Sequence, residues 1–173
     1  MARAFTRASS HTISLPSVAD LTTAMTFGCW LQTASASAVA EYRTLCGKGR
    51  SGDATDRNFG FDFRRVASGN EGLEMYWTQP VNNYSEYYFD VTLSLNTWYH
   101  LVWTADWSTN PDTVACYLNG AAQSLSVGGS TDATPTTGAT PVPNMGAFHG
   151  GGSDYWDGRL AEGVIMPVAI TEA

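Results

Sequence analysis

Charge is scarce in this sequence, and what there is leans one way. Charged residues make up 14% of the 173, with Lys and Arg numbering 9 against 16 Asp and Glu, for a formal net charge of −7. A nucleic-acid groove or a protein that binds an anionic membrane surface needs the opposite excess, so neither partner is expected. No apolar run approaches the roughly 20 residues of a bilayer-spanning helix, and membrane insertion is not expected either. Cysteine is limited to Cys29, Cys46 and Cys116, which cannot all pair with one another and show no zinc-ligand spacing. Cys29 and Cys116 fall in strand patterns as small apolar residues, which predicts buried free thiols in a chain folded in a reducing cytosol. The opening residues lack the apolar core of a signal peptide, so the expected chain is made and used without export. Asn83-Tyr84-Ser85 then matches a glycosylation acceptor only formally.

What the sequence does have is short strands and turn signals. Hydrophobic residues reach 43% and glycines number 17, a globular, turn-rich composition of a length that suits one domain spanning 1–173. The run from Asn96 to Gly120 organises the rest. Its two halves are rich in β-branched and aromatic residues, break at Asn110-Pro111-Asp112 and close at Asn119-Gly120, which predicts neighbouring antiparallel strands. In the first half Tyr99, Leu101, Trp103 and Ala105 share one face, while Trp98, His100, Val102 and Thr104 share the other. Neither face is purely polar, so this strand is expected to be central and covered on both sides. Phe59, Phe61 and Phe63 alternate with Gly60, Asp62 and Arg64. Leu73, Met75 and Trp77 alternate with Glu74, Tyr76 and Thr78. A further strand is expected from Tyr87 to Leu93, with Phe89, Val91 and Leu93 inward. Ala34–Ala40 is short and lacks an amphipathic stripe, so it reads as loop, and Gly128–Asn144 reads as a long irregular segment.

Trp98-Tyr99-His100-Leu101-Val102-Trp103-Thr104-Ala105-Asp106, followed by Tyr117-Leu118-Asn119-Gly120, resembles the strand pair of laminin-G-like, concanavalin A-like modules. Further stretches fit the same pattern: Thr26-Phe27-Gly28-Cys29-Trp30-Leu31, Leu45-Cys46-Gly47-Lys48-Gly49 and Trp156-Asp157-Gly158-Arg159-Leu160-Ala161-Glu162. The opening motif departs from it, with Arg7 where the family carries glycine. The resemblance implies an all-β fold, an antiparallel two-sheet sandwich of the concanavalin A-like jelly-roll kind.

Chemistry has few footholds. The resemblance makes a glycoside hydrolase conceivable, but the Glu-x-Asp-x-x-Glu motif of concanavalin A-like glucanases is absent, and Glu71 and Glu74 fall on opposite faces of their strand. No nucleophile elbow accompanies a histidine. The expected catalytic set is therefore empty. Glycan recognition uses aromatic faces with a few convergent polar groups, for which the loop and strand-end candidates are Trp107, Tyr155, Tyr84 and Tyr87, with His149 beside them. Calcium is the one cofactor the resemblance implies, held in rim loops; Asp154 with Asp157, or Asp53 with Asp56, could supply oxygen ligands. No EF-hand spacing exists, however, and the last-strand position where the family often carries Asp is Ala161.

Fold alone does not fix function. The expected function is a non-catalytic virion surface component on a phage head or tail, decorating a capsid or attaching to host glycans and localised to the virion after synthesis in the host cytoplasm. A homo-oligomer is expected, with Arg3, Phe5, Thr131, Pro135 and Pro141 at assembly contacts. A bacterial carbohydrate-binding module, extracellular or on the cell surface, is the alternative reading.

Overall fold

A computed structural model of the chain describes residues 1–6, 10–16, 21–36, 41–49, 57–65, 70–78, 84–129, 142–147 and 154–170. Among these there is no helix. The strands are β1 (Arg3–Phe5), β2 (Ile13–Ser14), β3 (Ala24–Thr33), β4 (Glu41–Gly49), β5 (Arg57–Arg65), β6 (Glu71–Thr78), β7 (Tyr84–Asp90), β8 (Tyr99–Asp106), β9 (Thr113–Leu118), β10 (Ala121–Ala122), β11 (Ser126–Gly129), β12 (Asn144–Met145) and β13 (Gly158–Met166). They form a six-stranded sheet, β1-β13-β3-β8-β9-β10, and a seven-stranded sheet, β11-β7-β6-β5-β4-β12-β2. Every pairing is antiparallel. This is the expected sandwich.

Period-two alternation builds the core. Phe59, Phe61 and Phe63 of β5, Leu73, Met75 and Trp77 of β6, and Leu101, Trp103 and Ala105 of β8 are all at most 1% exposed. Burying a large apolar side chain is worth about 1.5–3 kcal/mol, so these inward rows hold the sheets together. Rings cross the gap directly: Phe27 of β3 stacks on Phe61 of β5 with centroids 4.2 Å apart, and Phe89 of β7 meets Trp103 of β8 at 6.0 Å. Cys29, Cys46 and Cys116 are buried free thiols, as expected, and burial pushes the Cys29 thiol up to about 12. Asn119 (φ 53°) and Gly120 (φ 78°) both take the left-handed conformation, which lets a two-residue hairpin join β9 to β10.

The structure corrects the sequence reading in four places. The strand expected over Tyr87–Leu93 is β7, Tyr84–Asp90, because its ladder with β6 starts at Tyr84↔Thr78 and ends at Asp90↔Gly72. Gly128 and Gly129 continue β11, and Asn144 begins β12, so the irregular segment is shorter than expected; residues 130–141 lie outside the described set. Phe5 is 1% exposed and packs in the core, so it is not an assembly contact. Finally, β8 is central but not covered on both sides. Its inward face is buried, whereas His100 and Val102 on the other face remain half-buried at the outer surface of the six-stranded sheet.

A candidate binding face on the seven-stranded sheet

The residues alternating with the inward phenylalanines and their neighbours converge on the outer face of the seven-stranded sheet. Register aligns them across strands. Thr44 of β4 faces Asp62 of β5, Asp62 faces Glu74 of β6, and Glu74 faces Tyr88 of β7. One step along, Tyr42 faces Arg64, and Arg64 faces Gly72. Directly opposed side chains sit about 4.5–5.5 Å apart at Cβ, close enough to interact.

Arg64 organises this face. The guanidinium reaches across β6 to β7. Its Nε lies 3.1 Å from Glu74 Oε2, an ion contact outside hydrogen-bond geometry. Its Nη1 donates to Glu86 Oε1 at 2.5 Å, and its Cζ sits 3.9 Å from the centroid of the Tyr88 ring, a cation–π contact. Glu86 has room because its ladder partner is Gly128, where a Cβ would come within 2.9 Å of Glu86 Oε2.

The carboxylates of Asp62, Glu74 and Glu86 outnumber the one guanidinium, and most of the cluster is buried despite facing away from the core. Asp62 and Glu74 are each 3% exposed and Arg64 is 9%. Burial, then the charges of Asp62 and Glu86, push the Glu74 carboxyl well above its ordinary value; Arg64 pulls it the other way, and a hydrogen bond with Glu86 raises it further. Glu74 therefore keeps its proton more readily than an exposed carboxyl and shares it in a hydrogen bond with Glu86. Tyr42, beside the cluster, is 42% exposed, and its phenol is raised by partial burial and then by Glu74. Tyr84, also outward on β7, is 47% exposed. These two rings flank a charged, hydrogen-bonding centre.

Other expected site residues land elsewhere. Trp107 is 6% exposed, with its ring edge-on to Trp77 at 5.2 Å and its backbone N donating to Thr23 O at 2.7 Å. Tyr87 is 6% exposed and stacks on Trp77 at 5.5 Å from the inward face of β7. Neither leaves an open ring face for a sugar. Tyr155 is half-buried and engaged in contacts of its own; Tyr84 alone of the expected aromatics stands open. Asp157 accepts a 2.5 Å hydrogen bond from Ser35 Oγ through Oδ2, and the Asp154 carbonyl accepts from Thr44 N at 2.9 Å. Among the described residues no group of three or more His, Cys, Asp or Glu could hold a metal ion. Asp53, Asp56, His149, Thr131, Pro135 and Pro141 lie outside the described residues. Arg3 is exposed on the edge strand β1.

Sequence reasoning assigned Asp62, Arg64, Glu74 and Tyr76 their outward face but did not assemble them with Tyr42, Glu86 and Tyr88. The available signal was charge recurring at outward positions of successive strands; the register that stacks those positions was not in it.

The sequence pattern of the concanavalin A-like lectin/glucanases superfamily matches residues 7–173. The chain belongs to that superfamily. Solved structures agree on the fold. This superfamily member is similar to the CBM40 module of the Ruminococcus gnavus IT-sialidase bound to α2,3-sialyllactose, at 12% identity and a TM-score of 0.62, covering 94% of this chain and 94% of that one. It is similar to the enzymatically active domain of tailspike protein 2 of bacteriophage CBA120, at 15% identity and a TM-score of 0.67, covering 94% of this chain and 24% of that one. It is also similar to a heptameric SAP-like pentraxin from Limulus polyphemus, at 15% identity and a TM-score of 0.57, covering 92% and 77%. The chain thus spans about a quarter of the tailspike domain it matches. No curated protein sequence matches it.

Proposed function

We propose that this chain is a non-catalytic carbohydrate-binding module that reads its glycan with the outer face of the seven-stranded sheet. The observation that carries the reading is the arrangement of exposed Tyr42 and Tyr84 around the Arg64–Glu74–Glu86–Tyr88 cluster. Aromatic rings supply stacking surface for a pyranose, and the half-buried Glu86 and Tyr88, held in place by buried Arg64, supply oriented polar groups for hydroxyls. The likeness to a sialidase's CBM40 supports the same reading.

The cluster's chemistry favours holding over cutting. A retaining glycosidase needs two carboxyls about 5–5.5 Å apart with the glycosidic bond between them. Here Glu74 and Glu86 hydrogen-bond to each other and the Arg64 side chain contacts both, so no room is left between those acids for a glycosidic bond.

For the setting we favour a phage virion, on head or tail, with a lectin-like module of a bacterium as the second reading; the likeness to a tailspike domain supports the first. Mass spectrometry of purified virions tests the location.

The test of binding is a glycan array on the purified chain, followed by calorimetry on the best ligand. Tyr42→Ala should weaken binding roughly 2- to 10-fold, the loss of one aromatic contact of about 0.5–1.5 kcal/mol, with the melting temperature nearly unchanged. Failure of the wild type to bind any glycan, or full retention of affinity by Tyr42→Ala, refutes the reading. Release of reducing ends from the bound glycan refutes the non-catalytic part.

A further inference from the structure

The outer face of the six-stranded sheet is built differently. Its outward positions follow from register: Ala161 beside Trp30 beside His100, then Val164 beside Gly28 beside Val102 beside Tyr117. Trp30 is 38% exposed and Val164 44%, and the Trp30 ring lies 4.9 Å from that of His100. At the opposite end of the face, Thr26 Oγ1 donates to Val168 O at 2.7 Å and accepts from Ile170 N at 3.1 Å. Those bonds hold Val168 and Ile170, 52% and 48% exposed, alongside the sheet. The middle is hollowed. A Cβ on Gly28 would sit 3.4 Å from Val164 Cγ1 and 3.7 Å from Val102 Cγ2, ordinary contact, so hydrogen there leaves a dimple. Contiguous apolar surface of this kind marks an interaction site in a folded domain.

Charge identifies the occupant. The chain carries −7, so two copies repel wherever their acids approach. Apart from exposed Glu162 in the β13 bulge between Ala161 and Val164, only Arg159 and Asp106 among the outward positions on β13, β3, β8 and β9 bear a guanidinium or carboxylate. They stand at opposite corners. Arg159 pairs with Gln32 one strand to one side of β3, and Asp106 pairs with Ala24 one strand to the other, each four residues along β3 from Gly28. Asp106 is kept anionic by the hydrogen bonds of Ser108 to its carboxylate.

We propose that this face pairs with itself, two copies of the chain stacking their six-stranded sheets about a two-fold axis that passes over Gly28 and lies between the sheets, perpendicular to the Arg159–Asp106 diagonal. That operation lays Arg159 of each copy against the partner's Asp106, and Trp30 over the partner's Val168 and Ile170. The strands of the two copies then run roughly antiparallel, crossing at about 40°, with the sheets about 10 Å apart. A closed, isologous dimer results. The edges are poorer docking sites, because β1 has three residues and β10 two. The same surface explains why the sequence of β8 carries apolar residues on both faces.

The experiment is the mass of the full chain in solution by light scattering and sedimentation, over a dilution series. The expected wild-type mass is that of two chains. Val164→Lys should give the mass of one chain with an unchanged circular dichroism spectrum, and Trp30→Lys serves as the second variant should the first misfold. Arg159→Asp should weaken dimerisation by about tenfold at low salt, and adding Asp106→Arg should restore it, because the pair is then reversed. A wild type with the mass of one chain at about 100 μM overturns the proposal whatever else covers the face. Folded Val164→Lys and Trp30→Lys proteins that keep the mass of two chains overturn it too, and a double charge reversal that fails to restore association overturns the two-fold arrangement.

Discussion

Replacing Glu74 by Gln should stabilise the protein at neutral and alkaline pH, although it removes one member of an ion pair. Glu74 is 3% exposed. Its carboxyl is raised well above 4.5 by burial first and then by the charges of Asp62 and Glu86, against the pull of Arg64. Tyr42, the remaining titratable neighbour, is itself raised and stays neutral through this range. In the unfolded chain the carboxyl returns to its ordinary value, so the native state binds this proton more tightly than the unfolded state does. The stabilisation is then fully present below the unfolded value and is lost as pH rises through the folded one. Across that window one proton changes stability by at most about 1.4 kcal/mol per pH unit. Gln keeps the shape and an N–H donor for Glu86 but has no proton to lose, and Arg64 retains Glu86 and Tyr88. The assay is urea unfolding of both proteins at intervals from about pH 5 to about pH 9, read as the difference between them, so that every other titrating group cancels. The expected difference is small at the acid end and grows in favour of Glu74→Gln as pH rises. A flat difference refutes the reasoning. A wild type that gains on the variant with rising pH refutes it more strongly, since Glu74 would then be an ionised partner of Arg64.

Arg43 works on the inward side of the same sheet: 2% exposed, it pairs with Glu41 at 3.2 Å and donates to Ser35 O and Ala36 O, each at 2.8 Å. Arg43→Met leaves the buried Glu41 carboxylate facing an apolar side chain and should cost about 3–5 kcal/mol by chemical denaturation; a loss under about 1 kcal/mol contradicts the buried-clamp role. Face-to-face pairing of the six-stranded sheets would turn both seven-stranded sheets outward, making the dimer bivalent. The wild type should then cross-link glycan-coated beads, which monomeric Val164→Lys should leave dispersed, while the two bind free ligand equally; equal cross-linking contradicts the bivalent geometry.

How much was legible depended on what each residue's face required. Phe59–Arg64 and Leu73–Trp77 alternate strictly, so period two alone sorted inward from outward, and the buried rows match it. Tyr87 should have been read inward by the same rule, since it sits two residues before Phe89; naming it a glycan contact set its residue type above its parity. Trp107 had no parity to consult. It follows the last residue of β8, where alternation has ended, and its ring turns back under the rim onto Trp77, a contact separated by thirty residues that no local pattern encodes. The Arg64 cluster was invisible for a related reason. Its members come from β4, β5, β6 and β7, and only the ladder offsets, including the irregularity between Thr44 and Cys46, decide that Tyr42 meets Arg64 and Thr44 meets Asp62. A one-residue slip in any of those ladders would put the acids inward. The outer face of β8 was the opposite case: its mixed pattern was read as covered within the chain, whereas His100 and Val102 stay half-buried there among the described residues. Local alternation reports what a strand's two faces require, not which molecule meets the requirement.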